Sequence, residues 1–537
     1  MKKKTYSGNI VDVESGEIYP GTLCVSQGKI IKIVRENKKY KTYLIPGFID
    51  SHVHTESSML PPSEFARVAV MHGTVAVISD PHEIANVLGM KGMRYMWNDA
   101  KGVPFHFYFS APSCVPATTF ETSGATLGIA EIEELCKKPE IKFLGEMMNF
   151  PGVIHGDPVV MEKIALAKKY GKLVDGHAPG LRGEDLKKYI GAGISTDHEA
   201  FQKDEALEKL SLGMKILIRE GSAVKNFDEL IPIADEHFEN CMLCSDDKHP
   251  DDLVKSHINE LVRRAVKFGV PAMKVLRMAS MNPILHYGLD VGLLREGDNA
   301  DFLEVDNLKN FAVLQTVING EVVAKKGKAL FARKPAKLEN NFHATEISVK
   351  DIALSPKGTV KAIEAMDGSL ITKKILVEDG MLGAKNDVLK IVVVNRYKKA
   401  KPSIGFIKNF GLKRGAIASS VAHDSHNIVA VGTSDEEICS AVNLIIKNKG
   451  GVCAVQKGKV KEVLSLPIAG LMSDKSFDVV AKKYTKIDKL AKSFGSKLRA
   501  PFMTLSFMAL LVIPEIKLSD LGLFDGTTFQ FTDISVQ

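Results

Sequence analysis

The sequence contains few cysteines and no long apolar run. Its seven cysteines are scattered and odd in number over 537 residues, which excludes a secreted disulfide scaffold and favours a reducing compartment. The longest apolar stretch, at 502–513, lies between two prolines and is too short to span a bilayer, so we interpret it as a buried element. No apolar segment follows the lysine run at 2–4, as a targeting leader would require. We therefore expect a cytoplasmic protein that does not enter a membrane.

The chain also lacks a large excess of charge of one sign. Its 71 Lys and Arg residues exceed its 64 Asp and Glu residues by only seven, which gives no indication of nucleic-acid binding. We find no low-complexity tract and no phosphate-binding glycine motif. What is present is an ordinary globular composition, 45% hydrophobic and 25% charged, with enough length for a large core. The length predicts roughly three to four domain-sized units.

Eight short apolar runs alternate with amphipathic segments in the first half of the chain. The runs lie at 45–50, 74–79, 105–109, 141–145, 172–174, 193–196, 215–218 and 242–244. Helical periodicity is clear at 156–171, 183–193 and 249–269. Strands that alternate with helices predict a parallel sheet. Eight such units predict an α/β fold with a closed (β/α)8 TIM-type barrel, and a doubly wound open sheet is the alternative.

The segments on either side of this region have a different pattern. Residues 1–45 and 290–335 contain short strands with Gly and Asp turns, and we predict that they pair to form one small composite β domain. The barrel then occupies 46–289. A polar stretch at 334–346 predicts a linker, and residues 347–537 mix strands with helices as in a separate C-terminal α/β domain.

Metal-ligating residue types stand at the ends of five predicted strands. They are His52 and His54 on strand one, Glu146 on strand four, His177 on strand five, His198 on strand six and Asp246 on strand eight. Strand ends of one polarity meet at the active-site face of such a barrel, and two histidines at i and i+2 point to the same side of a strand. These residues therefore predict a metal site.

The ligand types also indicate a chemistry. Imidazoles with carboxylates suit Zn, Fe or Mn, and the carboxylates favour the harder ions. Glu146 could bridge two ions, which makes a two-metal site plausible. Such a site lowers the pKa of a bound water, and Asp246 could accept its proton and deliver it to a leaving group. The predicted reaction is hydrolytic attack on an sp² carbon.

At this point the residues resemble a known family. The block PGFIDSHVH at 46–54, the strand-five and strand-six histidines and the strand-eight aspartate follow the order of the amidohydrolase superfamily. The motif HVHxESS, followed by DPHEIANVLG at 80–89, is similar to the bacterial adenine deaminases within it. The later blocks GEMMNFPGV, DGHAPGL, STDHE, CSDDKHPDDL and SSVAHDSHNIVAVG fit the same family. The resemblance thus covers nearly the whole chain.

The resemblance implies that water replaces the 6-amino group of adenine, giving hypoxanthine and ammonia in purine salvage. It implies one metal on His52, His54 and Asp246 and a second on His177 and His198. Many superfamily members bridge their ions with a carboxylated lysine on strand four, whereas Glu146 is expected in that role here. The implied partners are adenine and water, and we expect a homo-oligomer.

Further side chains are candidates for the active site. His82 and Glu83, after strand two, could hydrogen-bond the purine or move a proton, or they could be a structural histidine and a helix cap. Weaker candidates for substrate contact are Glu121, Arg219 and Asp247, and Asp247 could instead cap the following helix. The cluster of His423, Asp424 and His426 could fold over the barrel mouth or be a polar turn before a strand.

Two other functions compete with deamination. A dihydropyrimidinase-like hydrolase of cyclic amides would have lysine where Glu146 stands and would lack the DPHEIANVLG block. A catalytically silent barrel used for assembly would be expected to lose ligands, whereas every expected position is filled. The pair Cys241 and Cys244 has no second pair and lies in an apolar strand, so we interpret both as small buried residues.

Overall fold

The computed structural model describes residues 3–536. The predicted segments at 1–45 and 347–537 and the lysine run at 2–4 therefore each extend slightly beyond the described residues. Four strands open the chain, namely β1 Lys4–Val11, β2 Ile18–Ser26, β3 Lys29–Arg35 and β4 Tyr43–Pro46. The turn between β2 and β3 is made by Gln27 and Gly28, whose φ angles are 54° and 78°. Two successive positive φ angles match the twist of a tight hairpin and favour glycine, which explains the break in the pattern at this point.

Eight parallel strands then form a closed barrel. They are β5 Phe48–Val53, β6 Thr74–Ser79, β7 His106–Ala111, β8 Ile141–Met147, β9 Leu173–Gly176, β10 Thr196–Asp197, β11 Lys215–Arg219 and β12 Cys241–Cys244. Pairing runs in chain order from β5 to β9 and from β10 to β12. Parallel bridges between Val174 and Ile194 and between Val53 and Asp246 join these two sheets. The predicted barrel is confirmed, and the open-sheet alternative is excluded.

Two predicted strands differ from the observed ones. The run at 45–50 falls across the end of β4 and the start of β5, because Pro46 has no N–H for a ladder and ends one strand before the next begins. The run at 193–196 shortens to the two residues of β10, with Ile194 retained only as a bridge. The run at 74–79 coincides with β6.

Helices surround the barrel strands. They are α1 Pro62–Ala69, α2 His82–Leu88, α3 Met90–Ala100, α4 Ile129–Cys136, α5 Phe150–His155, α6 Pro158–Lys169, α7 Gly183–Gly191, α8 Lys203–Ser211, α9 Phe227–Leu230, α10 Ala234–His237, α11 Pro250–Leu253, α12 Ile258–Phe268, α13 Ala272–Leu276 and α14 Asn282–Tyr287. The helical patterns at 156–171 and 183–193 contain α6 and α7, whereas the pattern at 249–269 divides into α11 and α12.

Strands from both sides of the barrel share one eight-stranded sheet. After the barrel come β13 Phe302–Val305, β14 Val313–Ile318, β15 Glu321–Lys325 and β16 Lys328–Ala329. The strand order is β16-β15-β14-β13-β4-β1-β2-β3. In this sheet β4 pairs in parallel with β1 and antiparallel with β13.

The C-terminal part contains a second eight-stranded sheet and a small three-stranded one. Its strands are β17 Thr359–Glu364, β18 Lys373–Glu378, β19 Val388–Val394, β20 Ser403–Lys408, β21 Ala416–Ser419, β22 Ile428–Gly432, β23 Gly451–Gln456, β24 Lys459–Ser465, β25 Ile516–Ser519, β26 Gly522–Asp525 and β27 Gln530–Phe531. Its helices are α15 Val349–Ile352, α16 Asp435–Asn448, α17 Phe477–Ser493 and α18 Pro501–Phe507. The order of the larger sheet is β18-β17-β20-β19-β22-β21-β23-β24.

Both faces of this larger sheet are covered. On β22, Val429 and Val431 belong to the same core as the barrel, whereas Ile428 and Ala430 pack with residues of α16. This alternation follows from the period of two along a strand. It places the residues that precede β22 next to the barrel. Within residues 3–536, no helix combines the length and apolar character needed to cross a membrane.

Candidate metal centre and active site

The six predicted metal ligands meet at the carboxyl ends of the barrel strands. The groups His52/His54/Glu146, His52/His198/Asp246 and Glu146/His177/His198 each place their ligand atoms within 4.8 Å of one another. All six residues are at most 5% exposed. Because burying charged groups is costly unless they are paired or bind a metal, this convergence indicates a built site rather than a solvated polar face.

The nitrogen atoms of the cluster fit a cation. His54 Nδ1 lies 2.9 Å from the Asp80 carbonyl oxygen, so it carries the proton and leaves Nε2 as a free donor of its lone pair. The Nε2 atoms of His52 and His54 are 3.2 Å apart. Among the described residues, the buried Nε2 of His177 has no hydrogen-bond partner. Neutral imidazole nitrogens directed at one another and at carboxylates are suitable ligands for a divalent transition metal.

Glu146 lies between the two groups of histidines. Its Oε1 is 3.1 Å from His54 Nε2, while its Oε2 is 3.2 Å from His198 Nε2 and 2.5 Å from His177 Nδ1. One carboxylate oxygen therefore faces strand β5 and the other faces strands β9 and β10. A carboxylate in this position can bridge two ions.

Two buried aspartates that sequence reasoning did not select support this cluster. Asp80 accepts a hydrogen bond from the backbone N–H of Glu146 at 2.9 Å and one from Ser110 Oγ at 2.7 Å. Asp50 accepts hydrogen bonds from Ser245 Oγ at 2.5 Å and from His257 Nε2 at 2.7 Å. Both are acidic residues at the ends of the predicted strands at 45–50 and 74–79, which was the available signal, although in the structure Asp50 lies within β5. Their contacts fix the backbone on which the ligands are carried.

Asp246 is held in one orientation at the end of β12. Its φ angle of 51° is one that aspartate tolerates better than most residues, and its N–H donates to the His52 carbonyl oxygen at 2.9 Å. Its Oδ1 lies 3.2 Å from His54 Nε2, and its Oδ2 accepts from Arg219 Nη1 at 2.5 Å. Burial raises the pKa of Asp246, but the Arg219 guanidinium and then His54 lower it well below its usual range.

Arg219 forms ion pairs with two carboxylates. Besides Asp246, its guanidinium donates to both oxygens of Glu199, with Nη2 at 2.9 Å from Oε2. The side chain is 1% exposed yet lines the pocket. Glu199 follows His198 directly at the end of β10 and was another acidic strand-end residue that sequence reasoning passed over. The geometry shows Arg219 orienting Asp246.

A second polar group adjoins the cluster, and the ligand atoms of its His82 and Glu83 lie within 4.8 Å of that of His54. His82 and Glu83 begin α2, and His82 Nε2 lies 3.5 Å from Glu83 Oε1. His423 Nδ1 is 2.5 Å from the same oxygen. His426 Nε2 contacts Glu83 Oε2. The C-terminal cluster predicted to be either a pocket element or a polar turn therefore lies over the barrel mouth.

The pocket between these groups has both polar and apolar walls. Its lining residues are His54, His82, Glu83, Glu146, Met148, His177, His198, Glu199, Arg219, Gly221, Val224, Asp246, Asp247, Leu370, His423, Asp424, Phe507 and Leu510. Leu370, Phe507 and Leu510 come from the C-terminal part. No local pattern in the sequence marks them as functional, because apolar residues at such spacing are typical of any core.

The two remaining substrate candidates differ in position. Asp247 lines the pocket and accepts a hydrogen bond from Ser57 Oγ at 2.5 Å. Glu121 is buried but is not among the described residues that line the pocket. Burial, and then the charge of Asp424, raise the pKa of Glu121 well above its usual range. Of the two, only Asp247 is placed to reach a ligand in this pocket.

The pair Cys241 and Cys244 is not among the described residues that line the pocket. Cys241 and Cys244 are free thiols buried within β12. Burial raises the pKa of Cys241 to about 12, which is unfavourable for a thiolate ligand. These positions agree with their interpretation as small buried residues.

Comparisons with known proteins give concordant results. Residues 43–323 match the model of the amidohydrolase family, and residues 369–530 match the adenine deaminase C-terminal domain. An adenine deaminase of Sulfurovum sp. (strain NBC37-1) is 58% identical over 526 residues, 98% of each chain. One of Methanosarcina mazei is 51% identical over 99% of each chain. A solved β-aspartyl dipeptidase of Fervidobacterium islandicum AW-1 is 16% identical, with a TM-score of 0.48, covering 62% of this chain and 99% of that one.

Proposed function

Because the chain belongs to the amidohydrolase family, and within it to the adenine deaminases, we propose that it hydrolyses adenine to hypoxanthine and ammonia. The observation that carries this proposal is the complete ligand set at the barrel mouth, where four imidazoles and two carboxylates converge in a pocket closed by the C-terminal part. The alternative of a cyclic-amide hydrolase predicts a lysine at the position that Glu146 occupies.

The residues suit two divalent ions, either Mn or Fe, with Zn also compatible. His52, His54 and Asp246 would hold one ion, and His177 and His198 would hold the other. Glu146 would lie between them, since its two oxygens face the two histidine groups. When bound, such ions lower the pKa of a water molecule so that a hydroxide nucleophile is available at neutral pH.

Asp246 is the proposed proton carrier. As the oxygen of water forms its bond to C6 of adenine, Asp246 accepts a proton, and it delivers that proton to the departing amino group as the C–N bond breaks. Arg219 holds Oδ2 of Asp246 at 2.5 Å. Arg219 therefore favours the ionised carboxylate that can accept a proton.

His82 and Glu83 are the proposed partners of the purine ring. They lie beside the ligand cluster, with His82 Nδ1 at 3.5 Å from Glu146 Oε1. From this side they can hydrogen-bond ring nitrogens and exchange a proton with the base. Asp247, Arg219 and Glu121 remain weaker candidates for substrate contact. The apolar side chains of Leu370, Phe507 and Leu510 suit the faces of a flat base.

We also propose the setting in which this reaction occurs. The substrate is a small neutral base, which needs no strong basic field to attract it, and this agrees with a net charge of only +7. The reaction would serve purine salvage in the cytoplasm. We propose a homo-oligomeric enzyme without a nucleic-acid or membrane partner.

An ultraviolet assay tests the proposal. Purified protein loaded in parallel with Mn, Fe or Zn is incubated with adenine, adenosine or cytosine, and the change in absorbance is followed. We expect adenine to be converted and the other two compounds to be poor substrates. The proposal would be overturned if adenine were not consumed with any of the three metals.

A further inference from the structure

The second carboxylate oxygen of Glu83 contacts a residue from a distant part of the chain. The side chain is 2% exposed, and its Oε1 lies 3.5 Å from His82 Nε2 and 2.5 Å from His423 Nδ1, both of which line the pocket. Its Oε2 points away from His82 to Nε2 of His426 in the C-terminal part. The residues are 343 positions apart in the sequence, so this contact depends on how the C-terminal sheet packs on the barrel.

The protonation state of the His426 ring is set by its own loop. The backbone N–H of Ala422 donates to His426 Nδ1 at 3.2 Å. A nitrogen that accepts cannot carry the proton, so the hydrogen of the neutral ring is on Nε2. His426 therefore donates to Glu83 Oε2, and this donor is available without any charge on the ring.

The loop that carries His426 is fixed from several sides. The His426 backbone has a φ angle of 54°, a left-handed conformation that non-glycine residues adopt only when their surroundings enforce it. Its carbonyl oxygen accepts from the buried Arg396 Nη1 at 3.3 Å, and the adjacent Ser425 carbonyl accepts from Tyr397 Oη at 2.6 Å. The donor to Glu83 is thus held rigidly.

We propose that His426 is a positioning residue that orients the Glu83 carboxylate toward the purine. This inference rests on the proposed deamination of adenine, in which Glu83 faces the base. His426 itself is not among the described residues lining the pocket, so it acts through Glu83 and does not touch the substrate. The C-terminal part then completes the active site in two ways, by forming a wall and by fixing a carboxylate of the barrel.

Two polar substitutions separate this role from simple support of the loop. In His426→Gln, the amide nitrogen reaches about as far as Nε2 and can still donate to Glu83. In His426→Asn, the shorter side chain can accept from Ala422, as Nδ1 does, but cannot reach Glu83. If His426 only supports its loop, His426→Asn should lower activity less than His426→Gln. If His426 positions Glu83, His426→Gln should lower activity less than His426→Asn.

The experiment measures kcat, KM and bound metal for the metal-loaded full chain with adenine. We expect His426→Asn to lower kcat about 100-fold, within the range for loss of a positioned proton-transfer group, with KM and metal content close to wild type. His426→Gln should stay within about tenfold of wild type, since it keeps the donor. His249→Gln is the matched control, because the buried His249 also joins the barrel to the C-terminal part, through a contact of 2.5 Å with Tyr484 Oη. The kcat of this variant should equal that of the wild type.

A double variant tests whether His426 acts through Glu83. If it does, Glu83→Gln with His426→Asn loses no more activity than Glu83→Gln alone, because coupled residues are not additive. Additive losses, equal losses for Asn and Gln, or an unchanged His426→Asn variant would each overturn the inference. A hundredfold loss of kcat in His426→Gln, with its metal retained, would by itself contradict the inference. An inactive wild type overturns the proposed function together with this inference, whereas an active wild type with unaffected variants overturns the inference only.

Discussion

Asp246 has three contacts that fix its carboxylate in one direction. Its backbone is tied to His52, one oxygen faces His54, and the other oxygen accepts from Arg219. Arg219 is in turn held by Glu199. An ionised carboxylate that is fixed beside the ligands can accept a proton repeatedly without reorienting, which suits a group that both receives and returns a proton.

Replacing this carboxylate should abolish most of the activity while the fold is kept. We expect Asp246→Asn to lower kcat with adenine by about 10³-fold or more, because the amide cannot accept the proton. The measurement is the ultraviolet adenine assay together with circular dichroism. Asp228→Asn is the control, since the Asp228 side chain is 90% exposed, and it should behave as wild type. Near-normal turnover of Asp246→Asn would remove Asp246 from proton transfer.

Lys517 is a buried amine with no carboxylate partner among residues 3–536. Its Nζ donates to the carbonyl oxygens of Leu370 at 2.6 Å and Phe507 at 3.1 Å, and both of these residues line the pocket. Burial lowers the pKa of Lys517 to about 7. In the unfolded chain the group has a pKa of about 10.4. Between these two values the unfolded state binds the extra proton, so the stability of the folded state rises with pH.

This linkage predicts a pH-dependent difference between wild type and Lys517→Met. Because the folded-state pKa is about 7, the slope starts at about half its full value, and between pH 7 and pH 9 the wild type should gain about 2 kcal/mol of unfolding free energy in total relative to the variant. Urea unfolding midpoints at pH 7, 8 and 9 measure this difference. Lys459→Met, at an exposed position of β24, serves as the control and should follow the wild type. A difference that stays constant with pH would contradict the buried, readily deprotonated state.

At the scale of elements, strand β8 shows how a barrel strand delivers its ligand. Gly145 immediately precedes Glu146, and it allows β8 to pass close to Asp80, which follows β6 on the far side of β7. A Cβ at Gly145 would lie 2.7 Å from Asp80 Oδ1 and nearer still to Oδ2. The same Asp80 carboxylate accepts the Glu146 N–H. The absence of a side chain at Gly145 therefore sets the position of Glu146, the residue proposed to bridge the ions.

Adding one methyl group at this point should weaken the metal centre. We expect Gly145→Ala to reduce metal affinity or activity about 10–100-fold, as is typical when a residue that orients ligands is displaced. Metal content after gel filtration and kcat with adenine measure the effect. Gly191→Ala in α7 is the matched control, because a Cβ there meets nothing within 4 Å, and its activity should be unchanged. Full metal occupancy and normal activity in Gly145→Ala would show that β8 tolerates the shift.

The elements differ in how well local patterns predicted them. The run at 74–79 coincides with β6 because its six residues are all buried and apolar or small. The strand at β10 is only two residues long, and the helical pattern at 249–269 divides into α11 and α12. In these cases, packing against neighbours decided where the element ends, and periodicity does not report that.

At the scale of the whole molecule, the proposed metal ligands come from several barrel strands. They lie on or just after β5, β8, β9, β10 and β12, so bound ions would connect five of the eight strands. Anything that binds the folded state alone stabilises it by mass action, about 2.7 kcal/mol at a concentration one hundred times the dissociation constant.

Removing metal should therefore lower both activity and thermal stability. We expect chelation followed by dialysis to abolish adenine conversion, and Mn or Fe to restore it. We also expect the unfolding midpoint to rise with added metal and this rise to shrink below pH 6, because protonated imidazoles do not bind metals. Scanning calorimetry with and without metal measures the shift. Identical midpoints under both conditions would contradict a metal centre that spans the barrel.

The sequence by itself determined the barrel and the types of ligand at its mouth. In a parallel (β/α)8 barrel, every strand ends at the same face, so residues at the ends of separate strands converge wherever the fold is closed. His52, Glu146, His177 and Asp246 could therefore be grouped before any coordinate was known. Asp80 and Glu199 also follow strand ends, and Asp50 lies within β5, but their supporting role depends on hydrogen bonds that residue type alone does not specify.

Only the tertiary structure decided how the C-terminal part meets the barrel. The period of two along β22 buries both of its faces but does not say which partner each face has. That choice places His426 behind Glu83 and Leu370 and Phe507 over the pocket. Long-range packing of this kind depends on complementary surfaces from segments far apart in the chain, and no local periodicity encodes their pairing.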